Sequence, residues 1–248
     1  MSKTSVIISS YNQRQTLELS LEALSKQSVL PIEVIVSDDG STDGTIEWLD
    51  ALPGSRFPFP LSYVTTKHDG YNVAGVYNAG LGRLKGIRLL ISNADVLLSP
   101  DSVKLHEDLP DFNLGGGFIR EIVSTIASLI KIDDISCFEY IEFLYNAHKG
   151  GYGNEIWRGY RPMLNPCGFW CGNFSVPVKF YEDVNGFSSD YKCKYGGEEP
   201  DFVERCLKAG AWASWVEGSF GYHLAHPRKV YSIKALGIQK YRKDRGMI

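Results

Sequence analysis

The chain has 248 residues, 44% of them hydrophobic, enough to fill the core of one large α/β unit. A formal net charge of −3, with no long basic run in its body, excludes a general nucleic-acid binder, so no nucleic-acid partner is expected. No stretch approaches the ~20 apolar residues of a membrane span. The five cysteines (Cys137, Cys167, Cys171, Cys193 and Cys206) lack Cys-x-x-Cys spacing, which favours buried structural thiols in a reducing, cytoplasmic setting over disulfides or zinc.

Apolar, β-branched runs begin near Ser5, Glu33, Leu61 and Arg88, at spacings of 28, 28 and 27 residues. That is the βαβ rhythm of a mostly parallel sheet flanked by helices. The first run is too short for a signal sequence and reads as a strand. Residues 15–27 carry Leu17, Leu21 and Leu24 on one helical stripe, and 45–52 and 73–84 supply the next two crossovers. Ser99-Pro100-Asp101 predicts a helix start, with Ser99 as cap and Pro100 at the first position.

From 113 to 166 the pattern is harder to read. Gly115-Gly116-Gly117 and Gly150-Gly151-Tyr152-Gly153 mark loops, or backbone without room for a Cβ, and acceptor-facing loops are expected here. A strand over 169–175, a helix over 199–209 and a strand over 211–216 follow. The segment from Arg228 to Ile248 holds seven basic residues and one acid. It reads as a solvated helix packing one face on the domain, or as a peripheral contact with the anionic inner face of a membrane. The expected organisation is a single domain over 1–226, split into a nucleotide-binding half (1–112) and an acceptor and catalytic half (113–226), with a basic tail over 227–248.

Open parallel sheets bind ligands beyond the carboxyl ends of their strands. The residues there are Ser9-Ser10-Tyr11-Asn12, Asp38-Asp39-Gly40-Ser41-Thr42-Asp43, Thr66-Lys67-His68-Asp69 and Asn93-Ala94-Asp95. Neither Gly-x-Gly-x-x-Gly nor a phosphate-gripping Gly-x-x-x-x-Gly-Lys is present. Carboxylates at two strand ends can accept hydrogen bonds from a base imide and ribose hydroxyls, and can hold a divalent ion bridging phosphates.

In order and spacing these segments resemble the family 2 glycosyltransferases of the GT-A fold, and Tyr77-Asn78-Ala79-Gly80-Leu81 looks like that family's donor-side helix, with Tyr77 where an Arg often stands. The resemblance implies that Asp38 and Asp39 hold the nucleotide end of a UDP-sugar, Asp39 bonding the base with Ser9 and Tyr11 lining its pocket. Asn93 would sit near the ribose, and Asp95 would coordinate Mn²⁺ or Mg²⁺. Asn93 replaces the first acid of the family's Asp-X-Asp. That removes one negative charge beside the metal.

Trp170-Cys171-Gly172-Asn173-Phe174-Ser175 and Val184-Asn185-Gly186-Phe187 are similar to the second half of galactosyl- and N-acetylgalactosaminyltransferases, which implies that Gly172 and Asn173 line the sugar pocket, while the donor-side helix of the family 2 likeness implies that Asn78 serves the donor. Gly196-Gly197-Glu198-Glu199-Pro200-Asp201 resembles their Gly-Glu-Asp-x-Asp motif. There Glu199 falls on the catalytic base of an inverting transfer, Glu198 lies beside it at the substrate, and Asp201 either holds the helix start or contacts the acceptor. The same likeness puts a metal histidine near Gly221 to Pro227, with His223 preferred over His226, while His68 and His106 carry no motif support. Trp170 is the one aromatic taken as a sugar platform.

The expected function is metal-dependent inverting transfer of a hexose or N-acetylhexosamine from a UDP-sugar to a saccharide or glycolipid acceptor. Two alternatives stand beside it. A sugar-1-phosphate nucleotidyltransferase lacks support from a basic glycine-rich loop, and a non-catalytic sugar-nucleotide-binding module draws on Asn93 but must explain Glu199.

Overall fold

The computed structural model describes residues 2–122, 124–152, 169–192, 196–224 and 236–246. Four strands start close to where the apolar runs start: β1 (Thr4–Ser10), β2 (Glu33–Asp38), β3 (Leu61–Thr65) and β4 (Arg88–Asn93). They pair in parallel in the order β3-β2-β1-β4, with Ile7 opposite both Ile35 and Ile91. Helices α1 (Arg14–Ser25), α2 (Thr45–Ala51) and α3 (Val73–Ala79) are the crossovers. Strand alternation divides the core. Val6, Ile8, Val34 and Val36 pack with Leu17, Leu21 and Leu24, while Ile7, Ile35 and Ile91 share the other core with Tyr77, Phe174 and Phe202. Each fully buried Val, Leu, Ile or Phe adds about 1.5–3 kcal/mol of transfer free energy.

The chain continues through β5 (Val96–Leu98), α4 (Ser102–Glu107), β6 (Asn113–Ile122), α5 (Ser124–Ala127), α6 (Phe138–Tyr152), β7 (Phe174–Pro177), α7 (Val178–Asp183), α8 (Glu198–Lys208), β8 (Trp212–Leu224) and α9 (Leu236–Asp244). One eight-stranded sheet runs β3-β2-β1-β4-β7-β6-β8-β5. β7 lies antiparallel to β4 and β6, and β5 antiparallel to β8, whereas β6 and β8 are parallel. The two halves of the sequence thus share one mixed sheet.

Three local expectations are revised or narrowed. The helix after β5 starts at Ser102, with Asp101 at its cap position, because Ser99 is drawn away: its hydroxyl accepts the Phe220 N–H of β8 at 3.0 Å. Gly115-Gly116-Gly117 lies inside β6, which removes the loop reading and leaves that of backbone without room for a Cβ. A Cβ on Gly116 would overlap the Phe169 ring and one on Gly117 the Asn173 amide, so bareness there serves packing. β8 is twice the length anticipated, and its register against β6 shifts between Gly116 and Phe118.

Of the basic tail, α9 packs on α8: Tyr241 is buried and donates its hydroxyl to Glu204, and Arg245 binds Asp201 at 3.0 Å and also Glu204. No helix among the described residues is long and apolar enough to cross a membrane.

Candidate active site

The parallel strands converge on a polar rim. Asp38, at the end of β2, is fully buried, and its carboxylate accepts the Ser41 N–H at 2.8 Å as well as the hydroxyls of Ser41 and Thr65. Both of its oxygens are therefore engaged in shaping the turn that follows. Gly40 has φ +74°, and a Cβ there would press on the backbone of Thr66 and His68, so the loop after β3 can lie directly on this turn.

Asp39 is then presented at the rim. Its carboxylate accepts the Thr66 hydroxyl at 3.2 Å and lies 2.8 Å from Nδ1 of His68. The His68 ring stacks on Tyr11, with centroids 4.1 Å apart and planes at 11°. Tyr11, Asp39 and His68 form one cluster. The first two were expected in a base pocket; His68 lacked any motif, and only the stacking of two loops reveals it.

At the end of β4, Asn93 accepts hydrogen bonds from Ser9 Oγ at 2.9 Å and from the Tyr77 hydroxyl at 2.7 Å. Tyr77 is fully buried, and burial, with Cys171 and Glu199 nearby, holds its hydroxyl proton firmly. Asp95 accepts the Gln13 amide at 2.8 Å, and its Oδ2 lies 3.5 Å from Nε2 of His223 on β8. Gln13 escaped the sequence reading because a glutamine at a helix start carries no signal.

A carboxylate and an imidazole this close suit a divalent cation as two of its ligands. Among the described residues no group of three or more His, Cys, Asp or Glu converges on one point, so such an ion would take further oxygens from a ligand. His226 lies outside the described residues, as do Cys167, Cys193 and Gly153.

The Trp170 and His223 rings meet edge to face, with centroids 5.4 Å apart and planes at 89°. The next residue, Cys171, donates its N–H to Glu199 Oε1 at 2.9 Å. Glu199 stands in the first turn of α8, whose start is set by Gly197 at φ +103°. Contacts thus run from Asp95 through His223, Trp170 and Cys171 to Glu199. Glu198 points inward: one oxygen accepts the Tyr71 hydroxyl at 2.6 Å, the other is buried without a partner, and burial raises its pKa. Of the two adjacent carboxyls, Glu199 is the one at the partly open face.

Four expected substrate contacts have other duties. Asn78 donates its amide to the Phe187 carbonyl at 2.8 Å and accepts the Phe187 N–H and the Tyr181 hydroxyl, so it binds the Asn185-Gly186-Phe187 turn. Asn173 is fully buried and bonds His106, at 2.9 Å, and Ser219. Gly172 is bare because the Trp170 ring lies where its Cβ would be, and its carbonyl accepts the Ser92 hydroxyl at 3.1 Å. Asp201 is paired with Arg205 at 2.9 Å and with Arg245 at 3.0 Å, which ties α8 to α9. Cys171 and Cys206 are buried thiols, and Cys137 is exposed.

Residues 5–108 match the family model described as glycosyl transferase family 2, and residues 151–227 match one described as the N-terminal domain of galactosyltransferase. The chain is similar to chondroitin synthase of Pasteurella multocida (25% identical, covering 91% of this chain and 25% of that protein). It is also similar to validoxylamine A glucosyltransferase of Streptomyces hygroscopicus subsp. limoneus (34% identical, covering 90% of this chain and 52% of that protein). It thus spans between a quarter and about half of the length of these curated relatives. Among solved structures, the fold matches a mannosyltransferase from Pyrobaculum calidifontis, in complex with GDP-Man and Mn²⁺. That match has a TM-score of 0.70 at 17% identity and covers 99% of this chain and 64% of that one.

Proposed function

As residues 5–108 match the glycosyl transferase family 2 model and the fold is that of the GT-A glycosyltransferases, we propose that this chain transfers a hexose or N-acetylhexosamine from a UDP-sugar to a saccharide acceptor, inverting the anomeric centre, in polysaccharide or glycoconjugate assembly. The observation that carries this reading is the contact path from Asp95 through His223, Trp170 and Cys171 to Glu199. It brings a candidate phosphate-side carboxylate and a candidate base to one rim.

Asp39 accepts the base imide and Tyr11 stacks on the ring, while Asn93, oriented by Ser9 and Tyr77, faces the ribose. Asp95 and His223 would hold Mn²⁺ or Mg²⁺ together with donor phosphates, and the ion would offset charge on the departing diphosphate. Glu199 takes the proton of the acceptor hydroxyl as its oxygen attacks the anomeric carbon from the side opposite the diphosphate. The Cys171 N–H on Oε1 orients that carboxylate. Glu198, buried and raised in pKa, supports the helix start through Tyr71.

The test is donor turnover with UDP- and GDP-sugars, with and without Mn²⁺. Asp95→Ala and Glu199→Gln should each lower transfer by at least a hundredfold, the scale of a lost general base, while their melting temperatures stay near that of wild type. Wild-type-like turnover by Glu199→Gln removes the base assignment. Pyrophosphate release from UTP and a sugar phosphate would instead identify a nucleotidyltransferase.

A further inference from the structure

His68 makes two contacts at once: its ring stacks on Tyr11 at 4.1 Å and 11°, and its Nδ1 lies 2.8 Å from the Asp39 carboxylate. A nucleobase held by Tyr11 and Asp39 would make the same pair of contacts, a stacked face and a ring N–H donated to a carboxylate. The imidazole has the flat shape and the N–H donor that both require. We propose that His68 is an internal competitor for the base seat, which an incoming nucleobase displaces. This rests on the reading of Tyr11 and Asp39 as the base site.

The surroundings suit displacement. The backbone at His68 is pinned, since the loop lies on Gly40 and the Thr66 N–H bonds the Asp38 carbonyl at 2.8 Å. The side chain is 36% exposed, so rotation about χ1 moves the ring toward water without moving the loop. Asp39, by contrast, is buried, and its carboxylate is costly to leave without a donor.

Uracil N3–H and guanine N1–H replace the lost bond one for one. Cytosine and adenine present a bare ring nitrogen at that place, so their entry leaves the carboxylate short of a donor. The competitor therefore lowers affinity for every base, and a base without the N–H never recovers the loss.

The experiment is calorimetric titration of UDP and CDP, each with Mn²⁺, into wild type, His68→Ala, Asp39→Asn and Tyr11→Ala. His68→Ala should bind UDP about tenfold tighter, the scale of one hydrogen bond to a charged group. CDP should tighten by a similar factor, leaving the preference for UDP unchanged, whereas Asp39→Asn should erode that preference. Weaker UDP binding by His68→Ala would make His68 a ligand of the base and overturn the proposal, as would unchanged affinity. Failure of the base-site reading looks different: Tyr11→Ala and Asp39→Asn would then bind UDP as wild type does. The His68 side chain is partly exposed and buries no core contact, and the melting temperature of His68→Ala checks that the fold is kept.

Discussion

Asn93 concentrates the chemistry of the rim into one side chain. Its Oδ1 already accepts from Ser9 and Tyr77, and a carboxylate oxygen would accept from both in the same way. Asn93→Asp should therefore leave stability within about 0.5 kcal/mol of wild type and add a negative charge near Asp95. The expected result is several-fold tighter binding of Mn²⁺ in the presence of UDP, read by calorimetry and falling off at high salt. Unchanged Mn²⁺ affinity would mean that Asn93 lies too far from the ion to matter. The Tyr77 hydroxyl, donating at 2.7 Å, holds the Asn93 side chain in place.

Helix α8 depends on its first turn. Gly197 has φ +103°, and a Cβ there would meet the Gly237 backbone of α9 and the Tyr191 ring, whereas Gly210 at the other end has φ +97° with nothing near. Gly210→Ala should cost only left-handed strain, about 1 kcal/mol. Gly197→Ala adds the displacement of α9 and should cost about 2–3 kcal/mol more, measured by urea unfolding. It should also depress transfer, because Glu198 and Glu199 follow directly. Equal costs for the two variants would show that α9 yields without loss. The same helix is braced by Asp201 and Glu204 to Arg245, so α9 supports the segment that carries the proposed base.

On the scale of the molecule, one buried polar network links α4, β7 and β8. His106 donates Nε2–H to Asn173 at 2.9 Å and accepts the Ser175 hydroxyl at Nδ1 at 2.8 Å. Burial depresses its pKa from 6.5 to about 3, an effect the Asn173 bond only partly opposes. Between pH 6.5 and about 3 the unfolded chain takes up a proton that the folded chain refuses. Stability is thus fully present above that window and falls as pH drops through it, by up to about 1.4 kcal/mol per unit. Urea unfolding across this range should show a shallower slope for His106→Gln than for wild type. Identical slopes would assign acid sensitivity to other groups.

What the amino-acid sequence determined alone was whatever local period and strand-end position encode. The apolar, β-branched runs from Ser5, Glu33, Leu61 and Arg88 became β1 to β4 because the parallel strands need a hydrophobic face on each side. The Asp38-Asp39 and Asn93-Ala94-Asp95 segments then fell at carboxyl ends, where the sheet leaves space. Tertiary structure decided which polar atoms remain for a ligand. Asn78 and Asn173 carry motif-like neighbours, yet their amides are consumed by the Phe187 turn and by His106, partners 109 and 67 residues away. His68 and Gln13 had no pattern to mark them, and they reach Asp39 and Asp95 because loops from different strands close over one rim. For Gly115 to Gly117 the sequence left a loop and a backbone without room for a Cβ as alternatives, and only the neighbours Leu109, Phe169 and Asn173, which occupy that volume, decide for the second. Hydrogen-bond partners and excluded volume belong to three-dimensional neighbours, and no one-dimensional spacing records them.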